Sequence, residues 1–281
     1  MTGTFIHLKG EVMGIFRDFF LNVKRIPDLL QETNVHLTAI YSKLDELTKE
    51  SSADLKEDLI NIKKSLSNIS ANHLPLNSPG ALLQEVKKVA MRDSVDIVTQ
   101  EMPGALLFHD GVKFHQYCVD QAKLTGAFCE FGVYSGASIN CFAEHRPEIF
   151  FDGFDSFEGL PEEWSGNMLV DFNKGKEPPA VRSNVRLHVG WFNETLPLYA
   201  KTVTDVSFIH VDCDIYSSTV TIFENLGSKL RKGSVILFDE YFVFPGFKLH
   251  ERKAFEEYLL KTDLRPKWFA VCGPRAACIL E

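Results

Sequence analysis

Carboxylates follow two apolar runs that have the composition of buried strands. Asp212 closes the run Ser207–Asp212, and Asp239 and Glu240 follow the run Ser234–Phe238. If these runs are neighbouring parallel strands, their carboxyl ends face one crevice, where open α/β sheets bind ligands. Three carboxylates that converge there repel one another unless a cation or a proton lies among them. Oxygen ligands in this number suit Mg²⁺ or another hard divalent ion, so we predict a metal site at Asp212, Asp239 and Glu240.

A purely structural role is the alternative for part of this acidic group. In that interpretation Asp212 or Asp214 caps the helix that begins near Thr219, and only one acid lines the crevice.

A glycine-containing turn precedes these acids, where an apolar strand passes into a helix. Gly132 and Gly136 let the backbone turn sharply, and the helix that follows offers free N–H groups. A nicotinamide-dinucleotide fingerprint would have glycine in place of Tyr134, so a dinucleotide is disfavoured. Glu130 suits a positively charged ligand, such as an amino group or a sulfonium. The predicted ligand-binding residues of this turn are Glu130, Gly132, Tyr134, Ser135, Gly136 and Ser138. The alternative is a turn that is only structural.

Asp155 ends the next apolar strand and is predicted to bind the ribose of a nucleoside. A carboxylate at this place in an open α/β sheet accepts hydrogen bonds from both ribose hydroxyls. Ser156 beside it is included in the predicted site, and Trp191 is placed to stack on an adenine. The alternatives are a helix N-cap for Asp155 or Ser156 and a plain hydrophobic role for Trp191.

The histidines and cysteines give weaker indications. His188 and His210 lie in predicted strands and are assigned to the core or to supporting contacts. His109, His115 and His250 lie outside the strands, within possible reach of the crevice. The segment from His250 to Lys253 is predicted as a solvated helix start, and the six cysteines are assigned to packing.

Short apolar runs alternate with helical patterns from about residue 81 onwards. The predicted strands are Ala127–Gly132, Ile149–Phe154, Val185–Val189, Ser207–Asp212 and Ser234–Phe238. Such alternation predicts βαβ units and a doubly wound α/β fold with a parallel sheet. The chain ends differently, because Lys267–Cys272 and Ala276–Leu280 flank a tight turn and predict an antiparallel hairpin.

Residues 1–80 have a different pattern, and we predict a domain boundary between residues 80 and 81. Leucines recur with heptad spacing at Leu30, Leu37 and Leu44, as in a coiled coil. We expect this helical region to make a homo-oligomer, although helices packed on residues 81–281 are the alternative. The segment Leu74–Gly80 is predicted as a linker.

Composition excludes several classes of protein. The 281 residues have a formal net charge of −8, which is unsuited to nucleic acid because phosphate binding needs clustered Lys and Arg. No Cys-x-x-Cys pair indicates a zinc ribbon, and no apolar run is long enough for a transmembrane segment. A cytoplasmic protein with reduced thiols is therefore expected.

Five motifs in order resemble class I S-adenosylmethionine-dependent methyltransferases, and the macrocin O-methyltransferase type in particular. They are Glu130–Ser138, GFDSFEGLP from Gly153, GWFNETLP from Gly190, VDCDIYSST from Val211 and FDEYF from Phe238. The resemblance covers about residues 100–281. It implies a Rossmann-like sheet of seven strands, S-adenosylmethionine as donor, and Mg²⁺ at Asp212, Asp239 and Glu240, with Asp212 also as the catalytic base. The family more often has aspartate where this chain has Glu240.

The resemblance therefore implies an O-methyltransferase that acts on a hydroxyl of a sugar, in a polysaccharide, a glycolipid or a glycosylated metabolite. A catechol-type acceptor is an alternative, because one metal ion can hold two adjacent oxygens. Two other classes remain as hypotheses. One is a nicotinamide oxidoreductase, and the other is a scaffold subunit that binds an adenosyl ligand without turnover.

Overall fold

The computed structural model describes residues 79–162 and 172–281. The chain divides into two units, Met1–Glu85 and Val86–Glu281, and the description below concerns the second. The predicted coiled-coil region lies outside the described residues except for its last two. Those two correct the predicted linker, because Pro79 and Gly80 already belong to a helix. Proline is favoured in the first turn of a helix, where its missing N–H removes no hydrogen bond.

The described part of the chain contains six α-helices, eight strands and two short 3₁₀ helices (Gly227–Lys229 and Phe247–Leu249). The helices are α1 (Pro79–Glu101), α2 (Gly111–Gln121), α3 (Ala137–His145), α4 (Phe192–Tyr199), α5 (Tyr216–Leu226) and α6 (Glu251–Leu259). The strands are β1 (Leu106–Leu107), β2 (Ala127–Phe131), β3 (Phe151–Asp155), β4 (Val185–Val189), β5 (Val206–Val211), β6 (Val235–Phe238), β7 (Pro266–Cys272) and β8 (Arg275–Leu280). None of these helices is long and apolar enough to cross a membrane.

All eight strands belong to one sheet with the order β1-β7-β8-β6-β5-β2-β3-β4. Only β8 runs against the others in this described sheet, and it pairs antiparallel with both β6 and β7. The predicted α/β sheet and its C-terminal hairpin are confirmed. The predicted number of strands is wrong, because β1 adds an eighth beside β7. A strand of two residues has no periodicity from which sequence could predict it.

The central strands are buried on both faces. Every residue of β5 and β6 is buried, as expected for parallel strands that helices cover on both sides. Successive side chains of β5 enter different hydrophobic clusters. Phe208 packs with Phe114 and Phe142 in one cluster, whereas Ile209 and Val211 belong to the other.

The sheet order reverses between β2 and β5, because the chain continues from β2 to β3 on one side and places β5 on the other. The backbone remains paired just beyond the strand ends here. The N–H of Asp212 donates to the carbonyl of Phe131 (2.8 Å), and the N–H of Asp239 donates to the carbonyl of Val211 (2.9 Å). Such a reversal leaves a crevice outside the carboxyl ends of the strands.

Candidate active site

A cavity of about 640 Å³ occupies this crevice. Eight of the twelve predicted site residues line it, namely Gly132, Tyr134, Asp155, Ser156, Trp191, Asp212, Asp239 and Glu240. The glycine turn and the acidic group, which were predicted separately, therefore share one cavity.

Gly132 brings the glycine turn directly against the acidic group. Its φ angle of +95° lies in the left-handed region, and a Cβ atom on it would lie 1.7 Å from the carbonyl oxygen of Asp212. No side chain fits at this position, so the close approach of β2 and β5 requires glycine.

Asp155 holds the glycine turn through the backbone. Its Oδ2 atom accepts the N–H groups of Val133 (2.8 Å) and Tyr134 (2.7 Å), and its Oδ1 atom accepts the N–H of Phe157 (2.7 Å). No helix follows β3 in the described residues, so the alternative role as a helix N-cap is wrong. A carboxylate oxygen has two acceptor positions, and Oδ1 therefore keeps one for a ligand. The ribose contact stays a prediction.

Tyr134 forms one wall of the cavity. It has a φ angle of +45°, which is uncommon for a residue with a bulky side chain. Its ring lies edge-on to Phe172, with 5.6 Å between the centroids, and the Nζ atom of Lys174 lies 4.1 Å above it. These contacts fix the ring beside the turn.

Four residues predicted to bind a ligand do not line this cavity: Glu130, Ser135, Gly136 and Ser138. Glu130 is buried, and its two carboxylate oxygens are already engaged. The hydroxyl of Ser138 donates to Oε1 (3.0 Å), and Nδ1 of His210 lies 2.9 Å from Oε2. The predicted contact of Glu130 with a cationic ligand is therefore corrected to a buried contact with His210.

Besides Asp155, an acidic group of four carboxylates faces the cavity: Asp212, Asp214, Asp239 and Glu240. Burial, followed by the charge of Asp239, raises the pKa of Asp212 well above its ordinary value. The same two causes raise the pKa of Asp214 to about 7 and, with a contribution from Asp214, that of Glu240 to about 8. The charge of Asp239 thus makes ionisation of the other three acids less favourable.

Asp239 differs from its neighbours. Burial alone would raise its pKa, but His210 and Arg275 together lower it below the ordinary value. The guanidinium of Arg275 donates from Nε to Oδ1 and from Nη2 to Oδ2 (3.3 Å). The Nε2 atom of His210 also lies near Oδ1, at 3.7 Å. Asp239 is therefore the ionised member of the group.

The chemistry of this donor set fits a hard divalent cation. Burial and then the charge of Asp239 raise the pKa values of three of the four acids, and a bound cation favours the ionised form of each. Asp212, Asp239 and Glu240 supply carboxylate oxygens, which are the ligands that Mg²⁺ prefers. Arg275 already neutralises one of the charges, so an ion there shares Asp239 with a guanidinium.

A fifth acid, Glu251, lies beneath this group and corrects the predicted solvated helix start. It is fully buried as the first residue of α6. Its Oε1 atom accepts the N–H of Asp214, and its Oε2 atom accepts the N–H of Glu240, each at 3.3 Å. Glu251 thus links the loop that carries Asp214 to the loop that carries Glu240; these are the two acidic loops.

The alternative that Asp212 or Asp214 caps a helix is also wrong. The N-cap of α5 is Ile215, and no side chain caps this helix. Asp214 instead lines the cavity in a left-handed conformation, with φ +63°. Sequence analysis missed it as a site residue, although its place two residues after Asp212 was a usable signal. Sequence analysis also missed three cavity-lining residues on α5. Ser217, Ser218 and Thr221 are spaced as neighbours on one face of this helix.

Comparison with known proteins identifies the domain that surrounds this cavity. Residues 129–241 match a family described as a methyltransferase domain, and the matched segment runs from β2 past Glu240. This segment of the chain is therefore similar to a methyltransferase domain. The glycine turn, Asp155 and all four cavity acids fall inside the matched segment of this domain.

Two curated relatives from Streptomyces resemble part of the chain. The chain is 29% identical over 155 residues to 8-demethyl-8-(2,3-dimethoxy-α-L-rhamnosyl)-tetracenomycin-C 4′-O-methyltransferase of Streptomyces olivaceus, a match that covers 45% of this chain and 58% of the relative. It is 28% identical over 129 residues to demethyldecarbamoylnovobiocin O-methyltransferase of Streptomyces niveus, covering 39% and 47%. The chain thus spans about half the length of each relative.

Among solved structures, the calicheamicin methyltransferase CalS11 is similar with a TM-score of 0.49 at 20% identity. The match covers 72% of this chain and 93% of that protein.

Proposed function

We propose that this protein transfers the methyl group of S-adenosylmethionine to a hydroxyl group of a sugar, with the help of a divalent cation. The observation that carries the proposal is the single cavity in which the glycine turn and Asp155 face the carboxylates of Asp212, Asp214, Asp239 and Glu240. Donor and acceptor sites must adjoin for direct transfer, because the acceptor oxygen attacks the methyl carbon in line with the departing sulfur.

The donor would lie along the glycine turn. Asp155 fixes the N–H groups of that turn and keeps one acceptor position on Oδ1 for a ribose hydroxyl. Ser156 and Trp191 line the same cavity and would contact the adenosine. The buried Glu130 has no direct role in this arrangement.

Asp212, Asp239 and Glu240 would hold Mg²⁺, and the ion would lower the pKa of a coordinated acceptor hydroxyl. Asp214 faces the same cavity with a pKa of about 7, which suits a general base near neutral pH. We therefore assign proton removal to Asp212, as the resemblance implies, or to Asp214.

The lining favours a neutral acceptor. Among the described residues that line the cavity there is no Lys, Arg or His, so a phosphate or carboxylate on the acceptor would meet only negative charge. Ser217, Ser218 and Thr221 offer hydroxyl groups to a polyhydroxylated molecule, and Leu160 and Pro161 offer apolar contact. A glycosylated small molecule can use both the hydroxyl groups and the apolar contacts of the cavity. Both curated relatives are named as O-methyltransferases, and one of these names contains a rhamnosyl group.

The test is calorimetry followed by turnover. S-adenosylmethionine and S-adenosylhomocysteine should bind in the micromolar range and NAD should not. A radiolabelled donor should then label neutral glycosides in the presence of Mg²⁺. Labelling of catechols alone would move the acceptor class to phenols, and absence of adenosyl binding would contradict the proposal.

A matched pair of variants tests the catalytic role of Asp212. Asp212 and Asp205 flank opposite ends of β5, and only Asp212 lines the cavity. Asp212→Asn should reduce turnover by at least about a hundredfold with little change in S-adenosylhomocysteine affinity, as expected when catalysis is lost and binding is kept. Asp205→Asn should behave as the wild type. Self-association through residues 1–80 and a cytoplasmic location stay predictions.

A further inference from the structure

Three side-chain atoms that can bind a metal ion lie close together, and they come from three different elements. His115 of α2, His210 of β5 and Asp239 after β6 each offer one nitrogen or oxygen atom, and these atoms all lie within 4.8 Å of one another. The Nε2 atom of His210 is 3.7 Å from Oδ1 of Asp239. The two imidazole rings meet at 60°, with 5.5 Å between their centroids.

Both imidazoles have a buried nitrogen without a partner. In the described ranges, Nε2 of His115 and Nε2 of His210 are both buried and have no hydrogen-bond partner. An unsatisfied buried polar atom lowers stability, so two of them side by side indicate a place for a ligand between them.

A carboxylate orients His210 from behind. The Nδ1 atom of His210 lies 2.9 Å from Oε2 of Glu130, and the hydroxyl of Ser138 donates to the other oxygen of that carboxylate. Burial lowers the pKa of His210, but Asp239 and Glu130 together raise it to about 10, so a metal ion would have to displace the Nε2 proton that faces Asp239 while Nδ1 keeps its proton toward Glu130. Metal-binding histidines commonly donate their second ring nitrogen to a carboxylate in this way, and the contact fixes the tautomer.

We propose that His115, His210 and Asp239 form a binding site for a divalent transition-metal ion such as Zn²⁺ or Co²⁺. Two imidazole nitrogens and one carboxylate oxygen favour these ions over Mg²⁺, which prefers oxygen ligands alone. Asp239 lines the cavity, so an ion can enter from that side and keep an open position for water. This set is different from the predicted group Asp212, Asp239 and Glu240, with which it shares only Asp239.

Loading requires a small inward movement. Two atoms bound to one ion at ~2.1 Å can lie no more than ~4.2 Å apart, and the cluster spans up to 4.8 Å. His210 is fixed by Glu130, so the half-buried ring of His115 is the part that would move.

Arg275 is a competing cation. The Nε atom of its guanidinium contacts Oδ1 of Asp239, the same oxygen that faces Nε2 of His210, so a metal ion and Arg275 would repel each other at one carboxylate. Removal of this charge in Arg275→Met should therefore increase the affinity for Co²⁺ severalfold.

Cobalt titration of the full chain tests the site, because nitrogen-bound Co²⁺ absorbs visible light. The readout uses neither donor nor acceptor, so it is independent of the proposed methyl transfer. His115→Phe removes a ligand and keeps the aromatic packing against Phe142, whose ring centroid is 5.2 Å away. We expect one Co²⁺ per wild-type chain and an affinity at least about tenfold lower in His115→Phe. The control His109→Ala, at an exposed position, should bind as the wild type.

Three results would overturn the proposal. One is binding that is unchanged in His115→Phe. Another is binding that survives in His115→Phe but is lost in Asp212→Asn, because the ion would then occupy the carboxylate set. The third is absence of Co²⁺ and Zn²⁺ binding in the wild type. In that case His210 carries a proton between Glu130 and Asp239 in place of a metal ion.

Discussion

The Oδ2 atom of Asp155 lies 2.7 Å from the backbone nitrogen of Tyr134 and accepts its N–H. A side chain at the end of β3 therefore sets the conformation of the turn that follows β2. We expect Asp155→Ala to weaken S-adenosylhomocysteine binding by about tenfold to a hundredfold, because the turn loses its acceptor and the ribose loses its predicted partner. Calorimetry measures this change.

Asp110 provides the control for Asp155. It is the N-cap of α2 and accepts the N–H of Lys113 at 3.0 Å, but it does not line the cavity. Asp110→Ala should lower the free energy of unfolding by ~1 kcal/mol and leave ligand affinity unchanged. Equal loss of affinity in both variants would mean that Asp155 acts only through general stability.

Gly132→Ala should lower the free energy of unfolding by about 3 kcal/mol or more, because the new Cβ atom would collide with the carbonyl of Asp212. Gly104→Ala is the matched change, since a Cβ atom there has no neighbour within 4 Å. Its unfolding free energy should stay within about 1 kcal/mol of the wild type. Urea denaturation of the two variants checks this, and a stable Gly132→Ala protein would contradict the close approach of β2 and β5.

Glu251→Ala should lower the free energy of unfolding by about 2–4 kcal/mol, because the buried N–H groups of Asp214 and Glu240 lose their acceptor at roughly 1–3 kcal/mol each. Turnover should fall further than S-adenosylhomocysteine affinity, since the acidic loops move and the glycine turn does not. Thermal and urea denaturation, with both assays, check this.

Glu256 on the same helix is the comparison for Glu251. It is half-exposed and pairs with Arg252 at 2.8 Å, so Glu256→Ala should change the unfolding free energy by no more than ~1 kcal/mol. The link between the acidic loops is disproved if the two variants are equally stable.

Asp152 should make stability depend on acid pH. Burial raises its pKa, but donors from His188, Tyr199 and Arg186 outweigh burial and lower the pKa below the ordinary 3.8. The unfolded chain then binds the proton more readily, so this contribution to stability is present above about pH 4 and is lost as the pH falls through the lower native value.

Asp152→Asn lacks this titration. Between pH 5 and pH 3 its unfolding free energy should fall less steeply than that of the wild type, as measured by urea denaturation at each pH. Asp93→Asn removes an exposed ion pair with Lys248 and should follow the wild-type slope. Parallel curves for wild type and Asp152→Asn would contradict the assignment.

Sequence analysis located the strands and the cavity well for a physical reason. Parallel strands covered on both faces are continuous apolar runs, so β5 was predicted within one residue at each end. The edge strand β4 was predicted with its observed bounds from the alternation of apolar and polar residues from Val185 to Val189. Carboxylates at the ends of such runs are recognisable because they interrupt a buried segment. Asp212, Asp239 and Glu240 were found in this way, and the structure brings them to one cavity.

The residues that sequence analysis misjudged have partners that are distant in the chain. Glu130 is buried because His210, 80 positions later, pairs with it, and Glu251 is buried because it receives an N–H from Asp214, 37 positions earlier. Neither pairing leaves a local pattern, and an isolated charge next to a turn or a helix start is usually solvated.

The position of β8 constrains the order in which the sheet can be completed during synthesis. Residues 275–280 lie between β6 and β7, so these two earlier strands do not pair with each other. A nascent chain that has emerged only as far as β7 has the parallel strands β2 to β6 but an unpaired edge on β6, which is a site for non-native association. Pairing of β8 is therefore the step that covers the exposed edge of β6. Removal of residues 275–281 should leave that edge unpaired and give aggregated protein.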